Sequence, residues 1–212
     1  SAVDAALPTQ LDKVSYSIGW DIGKSFVEIE PNPNTEQVKA GMDAKLSGSE
    51  PLMTEEEMRA VVTEFRKEQR AAKMEKRKTE ATENESKGVA FLEENGKREG
   101  VITLESGMQY EIITAGAGAS PAATDRVTTH YRGTLVDGTE FDSSYSRGRP
   151  ATFPVNGVIA GWTEALQLMK AGAKWKLYIP GDLAYGERGS PPKIGPNATL
   201  VFEVELISVD TK

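Results

Sequence analysis

The chain contains no cysteine and only one histidine among its 212 residues. Without cysteine it has no means of forming a disulfide, a thiolate metal site or a cysteine nucleophile. The single histidine, His130, lies in the alternating segment 128–132, where an ordinary strand histidine is the simpler interpretation. A histidine-based catalytic triad or a multi-histidine metal site would have to depend on His130 alone, and a general hydrolase is therefore not expected.

The chain also lacks a basic region and a long apolar run. It has 25 Lys and Arg against 32 Asp and Glu, a net charge of −7, and neither half has an excess of basic residues. Binding to nucleic acid through its phosphates is therefore not expected. No apolar stretch approaches the roughly 18 residues that a membrane-spanning helix needs. The chain begins with serine and shows no signal-peptide pattern, so we expect that a leader was removed or that the chain was shortened.

The first 65 residues contain three segments with apolar side chains at helical spacing. Residues 11–29 predict one amphipathic helix, Pro31 ends it, and residues 35–46 predict a second. Three such segments expose more apolar surface than a piece of this size buries alone. We therefore expect two copies to form a homodimer. The predicted interface residues are Val14, Ile18, Ile22, Met42, Met58, Val61 and Phe65.

A third helix is predicted from about residue 54 to residue 95. Thr54 and Glu57 have the spacing of a capping box, and no Gly or Pro follows until Gly88. A helix of that length extends on the order of 60 Å. Between Arg66 and Lys87 almost every side chain is charged or polar, which predicts a solvent-exposed spacer.

From Gly100 onward, short alternating segments are separated by turn residues. Asp137-Gly138 predicts a tight hairpin, and residues 162–169 predict one short helix. The predicted fold class is α+β: a C-terminal antiparallel sheet wrapped on one short helix, preceded by an all-α dimerisation domain and a long spacer helix. The corresponding ranges are 1–52, 53–98 and 99–212.

Five blocks of this C-terminal part resemble, in order and spacing, the signature of FKBP-type prolyl isomerases. They are VTTHYRG at 127–133, DGTEFDSS at 137–144, VIAGW at 158–162, LAYG at 183–186 and ATLVFEVEL at 198–206. The front half, with LDKVSYSIG at 11–19 and the long charged helix, resembles the macrophage infectivity potentiator (Mip) and FkpA subgroup. The resemblance covers nearly the whole chain.

The resemblance implies a peptidyl-prolyl cis–trans isomerase with the FKBP fold, working as a V-shaped homodimer with chaperone activity. Its implied partners are proline-containing unfolded or partly folded proteins, and macrolides such as rapamycin or tacrolimus as inhibitors. It implies neither cofactor nor metal. It further implies a role in virulence and a location in the bacterial periplasm, outer membrane or cell surface, with the cytoplasm as the alternative.

The resemblance also implies the site. The residues expected to act on the amide are Asp142, Tyr185, Trp162, Tyr131 and Phe202. The residues expected to bind the substrate are Phe141, Arg147, Phe153, Val158, Ile159 and Ile194. Trp162 would lie under the proline ring, and the Ile159 N–H and the Tyr185 hydroxyl would hold substrate carbonyls. Asp142 would either act near the rotating amide or form an ion pair with Arg147 that holds the loop.

Three departures from the family pattern lie at the rim of this expected pocket. Ser190 stands where many FKBPs have His, Lys193 stands where an apolar residue is common, and Asn156-Gly157 replaces a polar-acidic pair. They leave the pocket floor intact and bear on peptide preference and macrolide affinity. An alternative hypothesis is a chaperone or surface adhesin that uses the pocket only for docking; the intact aromatic set favours the isomerase.

Overall fold

The computed structural model describes residue 2 and residues 6–210. The chain divides into two compact units, the first ending at Glu75 and the second beginning at Lys76. The ends of the predicted ranges 1–52 and 99–212, namely residues 1, 3–5, 211 and 212, lie outside the described residues. The division falls inside a helix, whereas the predicted boundaries follow the helix ends. The domain boundaries therefore stay a prediction.

The first unit begins with two capped helices, α1 (Gln10–Val27) and α2 (Thr35–Ser47). Thr9 and Asp12 form a reciprocal capping box at the start of α1, with both backbone N–H groups 3.0 Å from the side-chain oxygens that accept from them. Asn34 caps α2, which ends at Gly48 in the left-handed conformation (φ 71°). Both predicted helices are confirmed to within two residues.

The apolar side chains of this unit remain largely open to solvent. Neither α1 nor α2 has a buried residue among those described, and Ile18 is 57% exposed. Phe65 is half-buried. The other predicted interface residues are exposed: Val14, Ile18, Ile22, Met42, Met58 and Val61. The apolar stripe that motivated the homodimer prediction is therefore available for pairing.

The long helix α3 (Glu55–Gly96) begins as predicted. Thr54 and Glu57 form the expected capping box, with the Glu57 N–H 3.1 Å from Thr54 Oγ1 and the Thr54 N–H 2.8 Å from Glu57 Oε2. Most residues between 66 and 87 are exposed, in agreement with the spacer prediction. Within the described part of the chain, no helix is both long and apolar enough to cross a membrane.

The last turns of α3 pack against the sheet of the second unit, which the sequence did not predict. Gly88 and Asn95 are buried, and the Phe91 ring lies 5.9 Å from that of Tyr178. Asn95 Nδ2 donates to Gln109 Oε1 at 2.8 Å, and Gln109 Nε2 donates to the Leu92 carbonyl at 2.7 Å. Small and amide side chains make much of this contact, so hydrophobic periodicity does not reveal it.

The second unit confirms the predicted α+β class, since its strands form one antiparallel sheet. The order is β1-β2-β6-β7-β3-β4, and β5 pairs with β3. The strands are β1 (Ile102–Thr103), β2 (Gln109–Thr114), β3 (Arg126–Leu135), β4 (Glu140–Ser143), β5 (Ala151–Pro154), β6 (Lys174–Ile179) and β7 (Leu200–Asp210). Only β5, which follows Pro150, was not predicted.

One short helix, α4 (Ala160–Leu168), packs on the sheet and encloses the core. Trp162, Ala165, Leu166 and Met169 are all buried, which confirms the predicted apolar spacing. They meet side chains that point to the same side from the long central strands, including Val127, Leu177, Val204 and Leu206. The core therefore lies between α4 and the sheet, with the site at its open end.

We predict that Asn95→Ala lowers the free energy of unfolding by about 1–3 kcal/mol, because it leaves the buried Gln109 Oε1 without its donor. Chemical denaturation of the full chain, followed by the fluorescence of the buried tryptophans, measures the effect. Glu93→Ala, an exposed position in the same turn, is the control and should change stability little. Equal unfolding midpoints for the two variants would show that the buried amide pair contributes nothing.

Candidate active site

An open cleft of about 630 Å³ lies at one end of the second unit. Helix α4, the strands β3, β4, β5 and β7, and the connection between β6 and β7 all contribute to it. The lining residues are Tyr131, Phe141, Asp142, Phe153, Gly157, Val158, Ile159, Trp162, Tyr185, Ser190, Pro191, Pro192, Lys193, Ile194 and Phe202. Apolar rings and branched chains dominate the list, with few polar groups among them.

Trp162 forms the floor of the cleft and is only 4% exposed. It lies in the first turn of α4, where Gly161 allows the helix to approach β6: a Cβ on Gly161 would lie 2.6 Å from Ile179 Cγ2. Tyr131, Phe202 and Phe153 surround the indole at centroid distances of 5.2, 5.3 and 5.7 Å, each nearly perpendicular to it. Such edge-to-face contacts add stability beyond apolar burial and restrict the ring.

Gly133 allows the side walls of the cleft to close around that floor. It pairs with Phe202 of β7 on one side and with Asp142 of β4 on the other. A Cβ at this position would lie 2.6 Å from Phe141 Cζ and 2.7 Å from Phe202 Cε1. The absence of a side chain lets the two rings meet at 5.4 Å and 85°.

Among the described lining residues, Asp142 is the one carboxylate, and two donors hold it. Tyr131 donates its hydroxyl to Asp142 Oδ2 at 2.6 Å, and Arg147 forms an ion pair with the other oxygen. The Arg147 guanidinium also donates to the Tyr131 hydroxyl at 2.6 Å and lies 5.5 Å from the centre of that ring. Each side chain in this triad therefore fixes the other two.

Burial and hydrogen bonding act in opposite directions on the pKa values of this triad. Burial would raise the pKa of Asp142, but the hydrogen bonds from Tyr131 and Arg147 outweigh it, so the pKa is lowered. Burial, together with the hydrogen bond to Asp142, raises the pKa of Tyr131. At neutral pH the site thus contains a carboxylate and a neutral phenol that donates to it.

Two groups that can donate a hydrogen bond to a carbonyl belong to residues that line the same cleft. The Tyr185 ring is partly exposed, and burial of its hydroxyl together with the nearby Asp142 charge raises its pKa, so it remains protonated. Ile159 is the N-cap residue of α4, so its N–H lies ahead of the helical hydrogen bonds. The cleft is equipped to accept an apolar ring and to hydrogen-bond a neighbouring carbonyl.

The structure brings ten of the eleven sequence-predicted site residues into the lining, and their individual roles stay predictions. Arg147 is the exception, since it touches the cleft through Asp142 and Tyr131. Asp142 both lines the cleft and forms an ion pair with Arg147. The geometry is therefore compatible with either predicted role of Asp142, acting on a ligand in the cleft or holding the loop through the ion pair. Within the described residues, no group of three or more His, Asp or Glu side chains is placed to hold a metal ion.

Ser190 and Lys193 lie in the lining, at the rim where the sequence placed them. Lys193 Nζ donates to the Phe141 carbonyl at 3.2 Å and so bridges the two sides of the cleft. Gly157, which the sequence also placed at the rim, lines the cleft, whereas sequence reasoning did not assign Pro191 or Pro192 to the site. They lie in turns without periodicity, and the signal that would have found them is their position between the matched blocks.

Two family models match the chain. The model described as "FKBP-type peptidyl-prolyl cis-trans isomerase" matches residues 118–207, and "Domain amino terminal to FKBP-type peptidyl-prolyl isomerase" matches residues 11–112. The first range contains the cleft, and the second contains α2, α3 and all of α1 except its first residue. Together they cover most of the chain.

Curated relatives and a solved structure match over nearly the full length. An outer membrane protein MIP of Legionella longbeachae is 49% identical, over 99% of this chain and 90% of the relative. The peptidyl-prolyl cis-trans isomerase Mip of Coxiella burnetii is 48% identical, over 97% and 90%. The crystal structure of FkpA from Escherichia coli has a TM-score of 0.75 at 37% identity, covering 95% of this chain and 97% of that one.

We predict that Arg147→Gln raises the pKa of Asp142, because the opposing effect of burial then faces only the hydrogen bonds from Tyr131 and from the Ser143 backbone. NMR titration of the carboxyl carbon measures this pKa directly. Arg149→Gln removes the same charge from the same loop at an exposed position and is the control. Equal pKa values in the two variants would contradict the assigned role of the Arg147 guanidinium.

The sign of the effect on stability follows from the direction of the shift. A folded-state pKa below the ordinary value of 3.8 means that the Asp142 carboxylate stabilises the fold at neutral pH. That contribution is present above the unfolded-state pKa and is lost as the pH falls through the folded-state pKa. Both side chains of the pair are more than a third exposed, so the contribution is small.

Proposed function

The chain belongs to the FKBP-type peptidyl-prolyl cis–trans isomerases, and we propose that it catalyses X-Pro rotation in the cleft floored by Trp162. Its substrates on this proposal are proline-containing segments of unfolded or partly folded proteins. The observation that supports the proposal most directly is the convergence of Tyr131, Phe153 and Phe202 on the indole of Trp162. An apolar recess with perpendicular aromatic walls matches the shape and polarity of a proline ring.

The reaction needs positioning rather than bond-breaking chemistry. Rotation about the amide faces a barrier of about 18–20 kcal/mol from resonance, and no covalent bond is broken. The enzyme must therefore bind the twisted amide more tightly than either planar form. In the twisted form the nitrogen becomes pyramidal and the charge separation across the amide falls. An apolar floor stabilises that less dipolar state, relative to the planar amide, more than water does.

The polar groups of the cleft would act at the two ends of the rotating bond. The Tyr185 hydroxyl and the Ile159 N–H would hold substrate carbonyls, which anchors one side while the other turns. Asp142 lies in the lining with its charge balanced by Arg147. We assign it to the amide that rotates, where it is oriented by the same pair of donors that keep it ionised.

Lys193 and Ser190 would adjust peptide preference at the rim. Lys193 spans the cleft edge to the Phe141 carbonyl, so a peptide approaching there meets a cation where many FKBPs present an apolar side chain. Macrolides such as rapamycin or tacrolimus would compete for the Trp162 floor, which is intact. The rim residues would change the affinity of these inhibitors rather than prevent binding.

We further propose that the exposed apolar stripe of the first unit pairs two copies into a homodimer with chaperone activity. Val14, Ile18 and Met42 support this because apolar side chains so open to water are costly in a monomer. The cell envelope is the proposed location, since a relative carries the name outer membrane protein MIP. A role in virulence stays a prediction.

Refolding of a protein that is limited by one X-Pro bond tests the activity. We predict acceleration by the wild type, inhibition by rapamycin, and a loss of at least about tenfold in kcat/KM in Trp162→Leu, which corresponds to about 1.4 kcal/mol. Trp175→Leu is the matched control, because it removes a buried indole outside the cleft. A folded wild type that leaves refolding unchanged would contradict the assignment of the reaction to this cleft.

Sedimentation of the full chain tests the dimer. We predict a dimer for the wild type and a monomer for Ile18→Glu, because a buried unpaired carboxylate in an apolar interface is costly. Ala40→Glu is the control, because it adds the same charge to α2 at an exposed position, about 160° around the helix from the predicted interface residue Met42. A wild type that sediments as a monomer at all concentrations would contradict the proposal.

A further inference from the structure

One wall of the cleft is a loop with little secondary structure of its own. We call residues 185–197 the wall loop; its inner side contributes Tyr185 and residues 190–194 to the lining. A 3₁₀ turn at Gly186–Arg188 and a single bridge between Ser190 and Ile194 are its regular elements. The bridge has backbone N···O distances of 2.9 and 3.0 Å. A further backbone bond, from the Asn197 N–H to the Gly186 carbonyl at 2.8 Å, closes the base of the loop, and contacts from outside add to these internal bonds.

The outer side of the wall loop receives side-chain donors from helix α3. Arg77 Nη2 donates to the carbonyls of Glu187 and Arg188, at 2.9 and 2.5 Å. Asn84 Nδ2 donates to the Pro196 carbonyl at 2.9 Å. The two anchors therefore lie on either side of residues 190–194, the longer of the two parts of the wall loop that line the cleft.

The backbone of the wall loop approaches the helix closely between these anchors. A Cβ on Gly195 would lie 3.0 Å from Asn84 Nδ2 and would collide with the Glu80 carboxylate. Gly189 has φ 61°, and a Cβ there would lie 2.6 Å from the Ile194 carbonyl oxygen. A glycine is therefore required at 195 for the loop to approach α3 and at 189 for the loop to stay narrow.

The helix itself is held firmly enough to serve as a support. Arg77, Glu80 and Asn84 are spaced three and four residues apart and so share one face of α3. The same face continues to Gly88, which packs on Thr199, and to Asn95 with its buried amide bond to Gln109. The anchors for the loop and the contacts with the sheet belong to one continuous stripe.

We propose that Arg77 and Asn84 are positioning residues of the isomerase site, which hold the wall loop in the shape that binds substrate. The inference rests on the proposed function, because its consequence is expressed in that cleft. Neither side chain lines the cleft, and each acts through the backbone carbonyls of the loop. Preorganising a wall lowers the entropy lost when a ligand binds. Removing an anchor should therefore weaken substrate binding more than it slows the chemical step.

The test uses the full chain with two anchor variants and two controls. Arg77→Gln and Asn84→Asp remove the donor that fits each carbonyl while keeping much of the side-chain volume. Lys78→Gln removes the same charge from the neighbouring, exposed position, which is about 100° around the helix. Phe91→Ala weakens the contact of α3 with Tyr178, far along the helix from the wall loop.

We expect each anchor variant to raise KM for a proline-containing tetrapeptide about two- to fivefold, with kcat within about twofold, as for lost uniform binding. Amide hydrogen exchange at Ser190 and Ile194 should become about tenfold faster, while that at Leu177 and Phe202 stays unchanged. Arg77→Lys keeps the charge but not the forked geometry and should be intermediate. Lys78→Gln should match the wild type, and Phe91→Ala should lose stability without a change in KM.

Two results would overturn the inference while leaving the proposed function intact. In the first, the wild type is active, and the Arg77→Gln variant has the same KM and the same exchange rates in the wall loop as the Lys78→Gln control. The other is a KM increase in Phe91→Ala equal to that of the anchor variants, which would indicate a general loss of stability. A wild type without isomerase activity would instead overturn the proposed function and this inference with it, and the activity assay alone distinguishes that case.

Discussion

Close packing of aromatic rings around Trp162 is the constraint on which the rest of the second unit depends. The rings meet because Gly161 lets α4 approach β6 and Gly133 leaves room between Phe141 and Phe202. A side chain at either glycine would separate elements that now touch. The floor and the aromatic walls of the cleft are therefore packed against one another in the structure without a ligand. That suits a reaction in which ground state and transition state differ mainly by the twist of one amide.

An aromatic cleft is a poor environment for a charge, and the triad of Tyr131, Asp142 and Arg147 resolves this conflict locally. An isolated carboxylate would be expected to take up a proton or to weaken the fold. Here the phenol and the guanidinium each bind the carboxylate and also bind one another. The site therefore keeps one oriented negative charge beside an apolar floor.

Helix α3 shows how a polar sequence makes a specific tertiary contact. Its final turns use Asn84, Gly88 and Asn95 rather than a leucine stripe. Amides satisfy buried carbonyls and other amides, and glycine allows the backbones to approach. Such contacts bury little apolar area, but hydrogen bonds are directional and fix the relative position of the two segments. They are therefore suited to holding a loop in place. The same helix thus takes part in the packing of the catalytic unit and in the shape of one wall of its cleft.

The sequence by itself determined the elements with local signals. The capping box of Thr54 and Glu57 predicted the start of α3, and Asn34 and Gly48 predicted the two ends of α2. Alternating apolar residues between turn residues predicted most strands of the sheet. The ordered blocks also identified most of the cleft, since each block is one short continuous stretch of the chain. Only the tertiary structure decided that Arg77 meets the carbonyl of Glu187, 110 residues away. Contacts made through glycines, amides and backbone carbonyls leave no hydrophobic period, so the fold alone brings these groups together.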